Sequence, residues 1–166
     1  MTMEIRMMTP QDWPQVSRIY QQGIDAGNAT FNQECPPYEE WDKCYIQDCR
    51  LVVTDGERVA GWAALLPTSS KPAYRGLMEL SIYLDSTFQH QGIGTMLMGK
   101  MVEYSQQQGI WCLQSCIMAN NKASLALHKK CGFRTIGTRE KSARDIHGVW
   151  QDTVLMEKRS HLPQYL

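Results

Sequence analysis

The chain has 166 residues, enough for one domain with a substantial apolar core, and its 17 basic residues balance 17 acidic ones. This balance favours a small ligand over nucleic acid, an acidic membrane surface or a polyanionic partner. The sequence contains neither a signal-peptide core nor an uncharged apolar run of membrane-spanning length. We therefore expect a soluble, cytoplasmic protein made of a single domain over residues 1–166.

The first half of the chain predicts a strand, two helices and a hairpin. Residues 5–8 form a short apolar strand, and Thr9 followed by Pro10 is typical of a helix start. The second helix is expected over residues 38–49, after two prolines. Asp55-Gly56, between two apolar runs, is a strong signal for an antiparallel hairpin.

The second half alternates strands and helices. We expect a strand at 77–84, a helix at 95–107, a strand at 111–118, a helix at 122–130 and a hairpin of 134–140 with 150–158. The complete order is strand, two helices, three strands, helix, strand, helix, two strands. This order predicts an α/β (α+β) fold in which helices pack against a mixed, largely antiparallel sheet.

The six cysteines show no metal or disulfide pattern. No Cys-x-x-Cys pair occurs, and the four histidines are scattered. Cys112 and Cys116 share a parity within an apolar strand, which is typical of packing. We therefore expect reduced, mostly buried thiols and no metal.

A glycine-containing run separates a predicted strand from a predicted helix: Gln89-His90-Gln91-Gly92-Ile93-Gly94. A helix N-terminus offers free N–H groups and a positive dipole end, and glycines let a phosphorylated ligand approach the backbone. The run lacks the third glycine of a dinucleotide fingerprint, which would fall at Leu97, and the Gly-Lys-Ser/Thr end of a P-loop. Either it binds an anion, or its glycines only cap the helix.

The pattern Gln-x-x-Gly-x-Gly resembles the pyrophosphate-binding loop of the GNAT superfamily of acyl-CoA N-acyltransferases. Residues 121–133 are similar to the Asn-x-x-Ser...Leu-His-x-x-x-Gly-Phe signature of its phosphinothricin acetyltransferase branch. Further blocks match that branch in the same order: Ala29-Thr30-Phe31 with Pro36-Pro37, Ala73-Tyr74-Arg75, Glu79-x-Ser81-Ile82-Tyr83-Leu84 and Gly148-Val149-Trp150-Gln151-Asp152. One departure is Ser69-Ser70-Lys71-Pro72, where the branch usually carries arginines.

The resemblance implies the GNAT fold, a central mixed and mostly antiparallel sheet flanked by about four helices. It also implies an acetyl-CoA-dependent N-acetyltransferase and a homodimer. The acceptor would be the α-amine of a small amino acid or analogue, such as phosphinothricin, methionine sulfone or methionine sulfoximine. Attack would be direct, without a covalent acyl-enzyme. Two alternatives remain open: another amine (a polyamine, an aminoglycoside or a protein N-terminus), or a sensor that binds acyl-CoA without turnover.

Two residues carry the expected chemistry. Glu79 is a carboxylate in mid-strand, so it is either paired structurally or placed to accept a proton, and the branch has a glutamate there near the acceptor amine. An α-ammonium of pKa about 8 must lose a proton before it attacks a thioester. His128 stands where most GNAT enzymes place tyrosine, which makes it a candidate general acid for the leaving thiolate; its alternative is a satisfied core histidine.

The remaining assignments follow from the resemblance. For the cofactor arm we expect backbone contacts from Ile82, Tyr83 and Leu84, unless these residues form an ordinary continuous ladder. Asn121 would also bind the arm, or serve only as a helix cap. The acceptor pocket would include Phe31, Tyr74, Arg75 and Trp150, with Arg75 available for a carboxylate. Their alternatives are a solvated arginine and packing aromatics.

Overall fold

The computed structural model describes residues 2–88 and 92–166. Within them the chain forms β1 (Met3–Met7), α1 (Trp13–Ala26), α2 (Tyr38–Cys44), β2 (Leu51–Asp55), β3 (Arg58–Pro67), β4 (Leu77–Leu84), α3 (Ile93–Gln107), β5 (Cys112–Met118), α4 (Lys122–Lys130), β6 (Arg134–Arg144) and β7 (Trp150–Arg159). The strands make one sheet in the order β1-β2-β3-β4-β5-β7-β6. Only β4 and β5 pair in parallel among these neighbours. The predicted element order and fold class are confirmed.

The second helix is shorter than predicted, because a side chain that follows it in the chain binds the carbonyl groups at its end. It ends at Cys44 rather than at Cys49, which has a φ of 62°. The buried guanidinium of Arg50 donates to the carbonyl oxygens of Asp42, Tyr45 and Ile46 at 2.9, 2.7 and 2.8 Å. A guanidinium presents several donors in a fixed fork, so it satisfies the carbonyl groups left at this chain reversal. The helix therefore stops early.

The two faces of the sheet are covered by cores of different composition. The face under α3 is filled by aliphatic and methionine side chains, including Leu65, Leu80, Leu97 and Met101. The face under α1 and α2 is aromatic, and its buried or half-buried rings are Trp13, Tyr20, Tyr38, Trp41, Tyr45, Trp62 and Tyr83. Stacked rings such as the Trp62–Tyr83 pair, 5.0 Å apart at 12°, restrain this face.

The sheet opens between its two central strands. β4 and β5 pair only from Leu77–Glu79 to Cys112–Gln114. Beyond Glu79, β4 continues to pair with β3 as far as Leu84, whereas β5 pairs with β7 as far as Met118. The two strands therefore diverge, and the edge of β4 from Leu80 to Leu84 faces a cleft instead of a neighbouring strand. The alternative of a continuous ladder here is wrong.

The cysteines are free thiols, but the expectation that most of them are buried is wrong, because two of the six are buried. Cys49 and Cys112 are buried, whereas Cys44 and Cys116 are exposed. Cys116 shares the face of Cys112 yet lies where β5 has left β4, so the cleft exposes it. In residues 2–88 and 92–166 we find no group of three or more His, Cys, Asp or Glu side chains arranged to hold a metal. The same ranges contain no helix with the length and apolarity needed to cross a membrane.

Candidate active site

The cleft between β4 and β5 contains a cavity of about 300 Å³. Residues of both strands line it, together with the loop after α1 and the start of α4. Six of the predicted site residues are brought together there: Phe31, Glu79, Ile82, Tyr83, Asn121 and His128. The lining also contains Thr30, Asn32, Ser81, Ser115, Cys116, Ser124 and Thr153, whose polar side chains we did not assign from sequence.

Glu79 lies at the point where the two strands separate. It is half-buried, and it is the only acidic or basic (Asp, Glu, Lys or Arg) side chain among the described residues that line the cavity. Within the described ranges it forms no ion pair. Burial, and then the negative charge of Glu79, raise the pKa of the Cys116 thiol, which places the two groups close together. These observations favour a role toward a ligand over a structural salt bridge.

His128 is held in one tautomer by its partners. Its Nδ1 lies 2.7 Å from the Ser124 carbonyl oxygen, which can only accept, so Nδ1 carries the proton. In the neutral ring Nε2 is then an acceptor, and the Ser115 hydroxyl donates to it at 2.9 Å. Burial lowers the pKa of His128, partly offset by the bond to Ser124. The imidazole is therefore neutral near pH 7, and Nε2 must be protonated before it can act as an acid.

Asn121 performs the helix-capping role given as its alternative, and it also lines the cavity. Its side-chain oxygen accepts from the backbone N–H of Ser124 at 3.1 Å, at the first turn of α4. This bond satisfies one of the otherwise unpaired donors of a helix N-terminus. It leaves the side-chain amide nitrogen as the group for a ligand. Cofactor binding by Asn121 stays a prediction.

Three of the predicted acceptor residues do not line this cavity. Tyr74 and Arg75 precede β4, and the Arg75 guanidinium lies 5.5 Å from the centre of the Trp111 ring. The exposed Trp150 ring lies under the guanidinium of Arg144, at 4.7 Å. Phe31 alone of the four is a lining residue. The sequence motifs could not place these three side chains relative to the cavity, because a motif carries no information on distances between loops.

The glycine-containing run is described only from Gly92 onward; Gln89, His90 and Gln91 lie outside the described residues. Gly92 has a φ of 75° and is the N-cap of α3. A Cβ on Gly94 would lie 3.0 Å from Leu84 Cδ1 and 3.2 Å from Leu127 Cδ2. Ile93 buries its side chain in the core, so only its backbone is available to a ligand. The run therefore places small residues and free N–H groups beside the end of β4.

Apart from Glu79 and Ser81, the open edge of β4 presents mainly backbone to the cleft. Ile82 and Tyr83 line the cavity, but the Tyr83 ring packs against the rings of Tyr20 and Trp62, each with its centre 5.0 Å away. Leu84 packs with the α3-side core. An extended ligand could pair with N–H and C=O groups that have no strand neighbour here. This geometry suits the backbone contacts predicted for the three residues, which remain predictions.

Two serines that line the cavity were not predicted as site residues, and the sequence contains a signal for one of them. Ser81 shares the parity of Glu79 on β4, so sequence alternation places both on one face. Ser115 lies in an apolar strand and contacts His128 from another element. No sequence spacing predicts that contact, since it depends on how α4 packs against β5.

A central sheet that splits beside a helix N-terminus, with a carboxylate at the fork, defines the architecture of a CoA-dependent acyltransferase. The profile of the Acetyltransferase (GNAT) family matches residues 13–133. The chain is 31% identical to phosphinothricin N-acetyltransferase of Alcaligenes faecalis over 162 residues, covering 93% of this chain and 81% of the relative. The chain belongs to the GNAT acetyltransferase family, and it is an N-acetyltransferase.

Two solved structures share the fold with a TM-score of 0.85 each. One is a phosphinothricin acetyltransferase of Sinorhizobium meliloti in complex with AcCoA, 27% identical, covering 96% of this chain and 89% of that one. The other is a ribosomal-protein-alanine N-acetyltransferase of Brucella melitensis, 28% identical, covering 95% and 99%. These similar proteins are named for different acceptors, so similarity alone does not select one.

Proposed function

We propose that the protein transfers an acetyl group from acetyl-CoA to the α-amine of a small amino acid or amino-acid analogue, by direct attack. Acetyl-CoA supplies the activated acetyl group as a thioester. Gly92 at the start of α3 suits its pyrophosphate, because it is exposed, has a left-handed backbone and precedes the first N–H groups of the helix. The small size of Gly94 lets α3 pack closely against Leu84 and Leu127. The relatives named as phosphinothricin acetyltransferases support an acceptor of the amino-acid class.

The observation that carries this proposal is Glu79 at the fork of the sheet, a carboxylate that lines the cavity and forms no ion pair with any other described residue. An acceptor ammonium is attracted to this carboxylate, which takes its proton directly or through water. The neutral amine then attacks the thioester carbon, and a backbone N–H on the open edge of β4 stabilises the developing oxyanion. The carbon–sulfur bond breaks to release a thiolate whose thiol has a pKa of about 8.5.

The thiolate needs little assistance to leave, which suits the neutral state of His128. With its Nε2 accepting from Ser115, His128 is a general acid only in the fraction of molecules that carry a second ring proton. Its other role is to hold Ser115 and the first turn of α4 in place through a buried hydrogen-bond network. We retain His128 as a candidate acid, secondary to Glu79.

A second candidate acceptor is an amine without a neighbouring carboxylate, such as a polyamine, an aminoglycoside or a protein N-terminus. The described lining of the cavity includes no arginine or lysine, and the predicted carboxylate ligand Arg75 lies against Trp111 instead. A ribosomal-protein-alanine acetyltransferase is among the similar structures. A non-catalytic sensor is disfavoured, since a sensor has no need of a carboxylate in the cavity at the fork of the sheet.

The test is thiol release from acetyl-CoA with a panel of acceptors. The panel contains methionine sulfone, methionine sulfoximine, phosphinothricin, spermidine, an aminoglycoside and an alanine-initiated peptide. Turnover that is fastest with the amino-acid analogues supports the first proposal, and turnover only with the other amines replaces it by the second. Acetyl-CoA binding without turnover of any acceptor would identify a sensor.

We also propose a homodimer, as the family resemblance implies. The outer hairpin of the sheet exposes Ile136, Val149 and Trp150 to solvent in the single chain. Apolar groups of this size on one hairpin are suited to an interface between copies. Light scattering coupled to size-exclusion chromatography should give about twice the chain mass of 19.0 kDa. A mass of one chain at micromolar concentration would contradict the dimer.

A further inference from the structure

A pair of hydroxyl groups lies beside Glu79 and has no part in the mechanism above. The Tyr45 hydroxyl is 2.9 Å from the Ser81 hydroxyl. Tyr45 is fixed by ring contacts, stacked on Trp41 at 4.8 Å and edge-on to Trp62 at 6.0 Å. Ser81 lines the cavity two residues after Glu79 on the same face of β4. The pair therefore joins the aromatic core to the cavity wall.

The direction of this hydrogen bond follows from the hydrogen-bond partners available to the Tyr45 phenol. Burial is the main cause that raises the pKa of Tyr45, with smaller contributions from neighbouring groups including Glu79, so the phenol keeps its proton. Among the described residues the Ser81 oxygen is the one hydrogen-bond partner of this phenol. A largely buried phenol O–H needs an acceptor, so Tyr45 donates and Ser81 accepts. The proton of Ser81 is then left for another acceptor, on the side of the cavity.

The spacing along β4 relates this donor to the reacting amine. Residues two apart on a strand project from one face and lie about 6.6 Å apart along the chain. When the amine of an acceptor approaches Glu79, a substituent on the carbon that carries this amine can therefore reach the Ser81 hydroxyl. A hydroxyl donor selects an oxygen acceptor at that position, and it does so without a positive charge.

We infer that Ser81, oriented by Tyr45, determines acceptor specificity by donating a hydrogen bond to a carboxylate or carbonyl oxygen one carbon away from the acceptor amine. The inference rests on the proposed function and names the acceptor class more narrowly: α-amino acids and α-amino amides. It also accounts for a cavity whose described lining holds no arginine or lysine, because a neutral donor replaces the missing cation. Ser81 is thus a binding residue and Tyr45 a positioning residue.

The experiment compares three acceptors that differ only beside the amine: methionine sulfone, its amide, and the decarboxylated amine 3-(methylsulfonyl)propylamine. Ser81→Ala should lower kcat/KM for methionine sulfone by roughly tenfold or more, and for the amide by several-fold, mainly through the acceptor KM. The decarboxylated amine should change by less than about twofold, because it has no oxygen there for the serine to bind. The KM for acetyl-CoA should stay constant.

Three further variants separate positioning from packing. Ser81→Thr keeps the hydroxyl and should retain most of the activity. Tyr45→Phe keeps the ring and should lose activity in the same acceptor order as Ser81→Ala, by a smaller factor. Tyr38→Phe is the matched control: it removes a phenol from the same aromatic cluster, and Tyr38 lies outside the cavity lining. It should match the wild type with all three acceptors.

Equal losses with the three acceptors, or no loss, would overturn the inference. Ser81→Ala and Tyr45→Phe leave small changes in packing, and circular dichroism verifies that each variant is folded. Failure of the proposed function gives a different result. In that case the wild type acetylates neither methionine sulfone nor its amide while it acetylates an amine without an adjacent carbonyl group, such as spermidine or the aminoglycoside, and the inference falls with the function.

Discussion

The two walls of the cleft carry different chemistry, although each is one strand of the same sheet. The β4 wall presents the Glu79 carboxylate and the Ser81 hydroxyl, backed by aromatic rings. The β5 wall presents Ser115 bonded to a neutral, buried His128. The charge therefore lies on the wall where we propose that the acceptor amine loses its proton, whereas the serine and histidine of the opposite wall are hydrogen-bonded to each other.

The largest effect is expected for Glu79→Gln. Loss of a proton acceptor should lower kcat about 10²- to 10⁴-fold at pH 7. The loss should shrink above the amine pKa of about 8, because the amine is then already deprotonated. Thiol-release assays from pH 6.5 to 9.5 measure this, with Glu57→Gln in the exposed hairpin turn as control. Unchanged activity at every pH would remove Glu79 as the base.

Gly92→Val should mainly lower the affinity for acetyl-CoA. It therefore tests cofactor binding independently of the residues on the two walls. A β-branched residue at a φ of 75° is strained, by about 1–3 kcal/mol, and its side chain would cover the start of α3. Isothermal titration should show an affinity at least about tenfold weaker. If the folded variant binds acetyl-CoA as the wild type does, the assignment of this glycine-containing run to pyrophosphate binding is wrong.

His128→Gln tests whether the β5 wall takes part in proton transfer. Since His128 is neutral and its Nε2 accepts from Ser115, kcat should fall by less than the roughly 10²-fold typical of a lost acid or base. Single-turnover assays at pH 7.5 give the value. A fall as large as that of Glu79→Gln would make His128 an equal partner in the chemistry.

His128→Gln also tests the protonation of His128 through the pH dependence of the free energy of unfolding. Because the pKa of His128 is lowered by burial, the unfolded state binds more protons than the folded state once the pH falls below about 6.5. The free energy of unfolding should therefore decrease toward acid, by at most about 1.4 kcal/mol per pH unit. Urea denaturation at pH 7.5 and 5.5 should show a larger decrease for the wild type than for His128→Gln. Equal decreases would mean that the folded ring titrates normally.

The smallest effect is expected for Gly99→Ala, on the exposed side of α3. An added Cβ there meets nothing within 4 Å. Replacing a glycine inside a helix should raise the free energy of unfolding by about 0.5–1 kcal/mol. Catalytic constants should not change, because Gly99 lies outside both walls. A change in the acetyl-CoA KM would show that α3 is coupled to the cleft over most of its length.

The sequence predicted what depends on local pattern. Alternation and periodicity gave β4 and α4 with their observed bounds, and the Asp55-Gly56 pair gave the hairpin of β2 and β3. Parity placed Glu79 and Ser81 on one face. These features depend on neighbours in the chain, for which spacing carries the necessary information.

What depends on distant contacts was not predicted. The contact of His128 with Ser115 depends on how α4 packs against β5, and the exposure of Cys116 depends on the divergence of β4 from β5. The early end of α2 is a different case, because Arg50 lies only four to eight residues from the carbonyl groups that it binds, and helix periodicity does not reveal such a contact. Arg75 is a related example. The motif suggested that it binds a carboxylate, and in the structure its guanidinium lies against Trp111. A motif identifies residue types but not the packing that orients them.

The brief parallel pairing of β4 with β5 also bears on how the protein folds. It divides the sheet into β1–β4 and β5–β7–β6, and each group comes from one contiguous stretch of chain. The antiparallel pairs β2–β3, β3–β4 and β6–β7 close short loops, whereas the parallel pair forms only across the α3 crossover. We expect β2–β3–β4 and the β6–β7 hairpin to form early and the β4–β5 junction to form late, so that the cleft proposed for the substrates lies at a late-forming junction of the sheet.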